Sequence, residues 1–203
     1  MNRIIGIIIV TGLALTATTA TAQERAVGSG RAELTAYPGG GIVFTDTTGE
    51  SDFSNYAIGG TFTYNLTRYL GVEADAGGSL GVDQRLNLAE GARSSRSPNF
   101  FGYTGNAVVY PLGNRRAFVP YATGGIGGLT LFSRQALGVN DTTTFLTGNV
   151  GGGVKYYLSE RWGLRADYRF LATRSQDDAP AFFGRDNRYG HRVSAGIVLN
   201  LLP

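Results

Sequence analysis

Tyr189-Gly190-His191-Arg192-Val193-Ser194-Ala195-Gly196-Ile197-Val198-Leu199-Asn200-Leu201 is the stretch that decides the fold. One parity from His191 carries Val193, Ala195, Ile197, Leu199 and Leu201; the other carries Arg192, Ser194, Gly196, Val198 and Asn200. Sustained alternation of this kind is a strand with one oily and one mainly polar face. The run is long for a soluble strand and close to the roughly 9–11 residues that a tilted strand needs to cross a bilayer. Lipid cannot satisfy an open sheet edge, so such a strand must pair, and pairing with the first strand of the same chain closes a barrel.

The N-terminus reads as an export signal over residues 1–22. Arg3 is a short basic region, residues 4–17 are mostly apolar, and Ala20-Thr21-Ala22 supplies the small residues of a cleavage site. Residues 23–203 then form one domain. Removing Arg3 lowers the formal charge from +3 to +2, and no cysteine is present for a disulfide or a lipid anchor. No later segment approaches 18 consecutive apolar residues, which excludes helical spans. Mean hydropathy of -0.05 is what alternating lipid-facing and lumen-facing residues produce. Arginines are interleaved with acids, as in Asp177, Arg185, Asp186 and Arg188, so no basic stripe for nucleic acid emerges.

Further strands are expected at residues 33–44, 55–65, 69–80, 99–110, 117–132, 144–158 and 162–173. The first places Leu34, Ala36, Ile42 and Phe44 on one face against Glu33 and Thr35, with Pro38 tolerable only at a bulge. The seventh sets Leu164, Ala166, Tyr168 and Phe170 against Arg165, Asp167 and Arg169. Short turns at 66–68, 111–116 and 159–161 alternate with polar loops at 45–54, 81–98, 133–143 and 174–188. This is the pattern of an eight-stranded up-and-down barrel; a hairpin within 81–98 would make ten strands. Tyr64, Tyr69, Tyr110, Tyr157 and Trp162 lie near the short turns, where an interfacial girdle belongs.

Several stretches carry a family resemblance. Tyr-Leu-Gly-Val-Glu-Ala-Asp at 69–75, Val-Pro-Tyr-Ala-Thr-Gly-Gly-Ile-Gly at 119–127, Gly-Gly-Gly-Val-Lys-Tyr-Tyr-Leu at 151–158 and Trp-Gly-Leu-Arg-Ala-Asp-Tyr-Arg at 162–169 precede the closing strand. In that order the chain resembles the small outer-membrane β-barrel proteins of Gram-negative bacteria, the porin-like group that includes the transmembrane domain of outer-membrane protein A. The resemblance implies outer-membrane localisation, short turns facing the periplasm and contact with lipid and lipopolysaccharide. It also implies a signal for the barrel-assembly machinery in the last strand, which Ser194, Gly196, Leu199 and Leu201 fit. The family commonly ends on an aromatic, whereas this chain ends Leu201-Leu202-Pro203, a departure expected to weaken recognition without undoing the strand.

The inward parity holds Glu33, Glu73, Asp75 and Asp167 against Lys155, Arg165, Arg169 and Arg192. An eight-stranded interior is just wide enough for side chains, and ions removed from water must be paired, so a salt-bridged, plugged lumen is expected. A narrow solute path is the rival. His191 is the only histidine and lies three residues from Ser194, hence on the opposite face of a regular strand, which disfavours a serine hydrolase acting on lipid. It reads as an interfacial residue near the outer rim. Runs such as Gly124-Gly125-Ile126-Gly127-Gly128 lack the Lys-Ser/Thr of a phosphate loop and read as packing positions in strands. Asp46, Asp177 and Asp178 could draw divalent ions, but solvated loop charge is the simpler reading. The expectation is a non-enzymatic monomeric barrel without metal or cofactor, acting in envelope integrity or binding an extracellular ligand or host surface through its loops. A solute pore, a lipid-modifying enzyme and a soluble periplasmic barrel are the alternatives.

Overall fold

Eight antiparallel strands of this chain close into a barrel in the order β1-β10-β9-β8-β7-β6-β3-β2. They are β1 (Ala32–Asp46), β2 (Phe53–Asn65), β3 (Leu70–Gly81), β6 (Phe100–Val109), β7 (Phe118–Leu131), β8 (Thr143–Tyr157), β9 (Trp162–Thr173) and β10 (Arg188–Leu202). The computed structural model describes residues 28–46, 53–88, 91–133, 141–174 and 187–202. The expected export signal lies outside them, as do Asp177 and Asp178. Closure joins β1 to β10, from Ala32↔Leu202 to Asp46↔Arg188. At roughly 3.3 Å per residue and a tilt near 40°, the 12 residues of β3 rise about 30 Å, the thickness of a hydrocarbon core.

Alternation sets the facing. Leu164 and Tyr168 are about half exposed on the outer wall, while Arg165, Asp167 and Arg169 are buried inside. β2 and β3 alternate as expected, with Phe62 and Val72 outward and Thr63 and Glu73 inward. In β10, Val193, Ile197 and Leu201 point outward and Ser194, Gly196, Val198 and Asn200 inward. Pro120 sits within β7, yet the ladder with β6 starts only at Ala122, so the proline is paired on one side alone.

Three expectations need correction. Ile42 and Phe44 are buried inside the barrel, not on the lipid side with Leu34. The register shifts around Pro38 to Gly40, on both edges of β1, and an irregularity there reverses the facing of everything after it. Tyr110 and Tyr157 also point inward and do not join the girdle; Tyr69, Phe118, Tyr156 and Trp162 are the half-exposed aromatics at that rim. Finally, the segment expected to be one polar loop holds a hairpin, β4 (Asp83–Leu88) and β5 (Gly91–Arg96). It forms a separate two-stranded sheet, so the barrel keeps eight strands. Gln84 docks the hairpin on the start of β2: its amide donates to Ser54 O at 2.6 Å and its oxygen accepts from Ser54 N at 2.9 Å.

Candidate functional site: the lumen

Inward side chains stack in three layers along the barrel axis. At the short-turn end, Glu33 of β1 and Lys155 of β8 form a buried ion pair. Tyr157 donates to the other oxygen of Glu33 at 2.5 Å, and Lys155 Nζ donates to Tyr110 OH at 3.3 Å. Tyr110 in turn donates to Asn65 Oδ1 at 2.7 Å. Residues 28–31 cross this mouth: Ser29 Oγ meets Tyr157 OH at 2.7 Å, Ser29 N donates to Asn114 O at 2.8 Å, and Asn65 and Asn200 clasp the carbonyls of Gly30 and Gly28.

The middle layer is the charge network. Arg165 Nη1 donates to Glu73 Oε2 at 2.6 Å and Nη2 to Asp167 Oδ2 at 2.9 Å, while its Nε reaches Tyr121 OH at 2.7 Å. Arg169 Nη2 donates to Glu73 Oε1 at 2.5 Å and Nε to Asp167 Oδ1 at 2.9 Å. Arg192 grips Asp75 with two parallel bonds of 3.0 and 2.7 Å. Tyr121 donates to Asp167 at 2.5 Å, Thr63 donates to Glu73 at 2.9 Å, and Arg165 Nη1 donates to Thr61 at 3.0 Å. Glu73, Arg165, Asp167 and Arg169 have side chains at most 1% exposed. An ion so far from water costs several kcal/mol unless its partners satisfy it, which is why both carboxylates collect charged and neutral donors together. The eight residues singled out by parity therefore all face the lumen, six in this network and Glu33 with Lys155 in the layer beside it, with every acid meeting a base.

Toward the loop end the lumen turns apolar. Phe44, Phe53 and Phe100 pack with ring centroids 4.9 to 5.7 Å apart, joined by Ile42, Leu129, Leu131, Phe145 and Leu171. Arg188 lies over the Phe53 ring at 5.6 Å. Voids of about 30 and 20 Å³ border Asp75, Arg192, Leu129 and Leu171, each with room for about one water.

The phenylalanine layer is not legible in the sequence because Phe44 sits beyond the bulge and Phe53 falls in the stretch that reads as a loop. The inward tyrosines have a signal in parity, since Tyr157 follows Lys155 by two positions and shares its inward face, although nearness to a turn suggests the girdle. His191 is exposed on the outer wall, 2.8 Å from Tyr168 OH through Nδ1, and Ser194 is buried on the inner one. Ser194 and Gly196 line the lumen while Leu201 stands on the outer face and Leu199 is half-buried.

The family model described as "Outer membrane protein beta-barrel domain" matches residues 9–200. Among solved structures, Neisserial surface protein A is similar at a TM-score of 0.60 and 12% identity, over 84% of this chain and 97% of that one. The outer membrane protein OprG from Pseudomonas aeruginosa gives 0.50 and 18%, over 85% and 96%. The outer membrane protein AlkL, solved in lipid bilayers, gives 0.50 and 13%, over 92% and 97%. No curated protein matches the chain in sequence. At these identities the neighbours speak for the fold alone.

Proposed function

The chain belongs to the outer membrane protein β-barrel domain family, and from that premise we propose that it is a non-enzymatic barrel whose lumen is plugged and whose work is done at its outer loops. The chain is an outer-membrane protein, and its wall presents grease to lipid. One observation supports the reading: inward side chains form three successive layers, the Glu33–Lys155 pair with its tyrosines, a network of three acids and three arginines, and a phenylalanine layer. A water-filled path would need those layers to part, and each is held by cross-lumen contacts. The work is assigned to the connections between β1 and β2, β3 and β6, β7 and β8, and β9 and β10, since binding residues concentrate in loops held by a rigid scaffold. His191 and Ser194 on opposite faces support the non-enzymatic reading.

The role then lies in envelope integrity or in contact with a ligand or host surface. In a bacterium lacking the protein, a version with the four outer connections cut to short Gly-Ser turns is expected to insert normally yet fail to restore surface adhesion or detergent resistance. Full restoration by the trimmed barrel would overturn the proposal. A change in lipid A composition that His191→Ala abolishes would favour the enzyme instead.

A further inference from the structure

The arginines at the short-turn end are arranged unlike those of the lumen. Arg31, Arg68, Arg115, Arg116 and Arg161 are all exposed there, against the single exposed acid Glu160 among the described residues. Each lumen base of the network has a carboxylate partner; among the described residues none of these five forms an ion pair. Two of them are nevertheless fixed in place. The Arg31 guanidinium lies 5.5 Å from the ring centre of Tyr64, and that of Arg68 lies 4.6 Å from the ring centre of Tyr69. Both tyrosines stand at the rim of the outer wall, where aromatic side chains mark the headgroup level.

The turn before β7 leaves room for this. Gly113 adopts φ of 75°, and a Cβ at that position would come within 3.3 Å of Arg68 Nε. An open cleft of about 560 Å³ runs between the two arginines, with Thr67, Asn114 and Arg115 also on its walls. We propose that this short-turn rim binds the headgroups of acidic phospholipids, with Arg31 and Arg68 as its fixed cations. Charge complementarity names the occupant: unpaired guanidiniums held in the plane of the headgroups, beside neutral donors, match a phosphate that takes two parallel hydrogen bonds. A basic residue near such a surface is worth about 1 kcal/mol, or roughly a fivefold enrichment of acidic lipid. The inference goes beyond the loop-based function and stands whether or not the lumen conducts.

Trp162 is the only tryptophan of the chain and opens β9 at the same rim, half exposed beside Arg161. The full chain is folded into phosphatidylcholine vesicles that carry brominated phosphatidylglycerol, or brominated phosphatidylcholine at the same fraction, as quencher. Quenching of Trp162 is expected to show at least about threefold enrichment of the acidic lipid, falling toward equality near 1 M salt. The triple variant R31Q/R68Q/R161Q is expected to lose the preference, and R85Q/R174Q at the loop end to keep it. Equal quenching by the two lipids, a preference insensitive to salt, or a preference that survives the triple change overturns the proposal. The salt series on the unaltered chain decides the matter if the triple variant does not fold.

Discussion

Arg165 on β9 and Glu73 on β3 meet at 2.6 Å although their strands stand on opposite walls, four steps apart in either direction round the barrel. Both side chains are fully buried, and Glu73 shares its second oxygen with Arg169. The pair therefore braces the barrel across its diameter. Glu73→Gln keeps the volume and leaves two guanidiniums short of a countercharge. The expected loss is about 3–5 kcal/mol of unfolding free energy, measured by urea titration in phospholipid vesicles with Trp162 fluorescence. An unchanged midpoint would mean that the network is not a stabilising brace.

The apolar layer makes a separate demand. Phe53 is 2% exposed and stacks on Phe44 and Phe100 at 5.0 and 5.7 Å. Phe53→Ala is expected to cost about 3–5 kcal/mol, in the same titration, because the surrounding strands are hydrogen-bonded and cannot collapse into the space. A loss below about 1 kcal/mol would show that this residue lies outside the packed lumen.

Gly196 and Leu201 belong to one proposed assembly signal but differ in surroundings. A Cβ on Gly196 would come within 2.3 Å of Ala36 O and 2.8 Å of the Tyr37 ring, so Gly196→Ala is expected to impair folding in vesicles as well as in cells. Leu201 is 46% exposed on the outer wall. Leu201→Ser is expected to fold in vesicles but to reach the outer membrane poorly in cells, read by heat-modifiable mobility of the membrane fraction. Equal behaviour of the two variants in both settings would remove the signal from the account.

What the sequence made legible follows from parity. Where strands run without interruption, as in β3, β9 and β10, alternation placed Glu73, Asp75, Arg165, Asp167, Arg169 and Arg192 inward, and all six face the lumen. The partners across the bore were not legible, since which base meets which acid depends on barrel stagger. β1 shows where parity breaks: the bulge after Ala36 adds one residue to β1, and Phe44 changes sides. The hairpin of β4 and β5 was likewise visible only as an alternative. Asp83↔Arg96 and Gln84↔Ser95 pair mainly polar residues, so no oily face announced the two strands.

The most direct test of the filled lumen is electrical. The full chain is inserted into planar lipid bilayers and recorded under applied voltage in concentrated salt. A plugged lumen predicts a baseline without unitary steps, with Glu73, Asp167, Arg165 and Arg169 leaving ions no continuous path. Stable ohmic openings in the nanosiemens range would contradict it and make the barrel a pore.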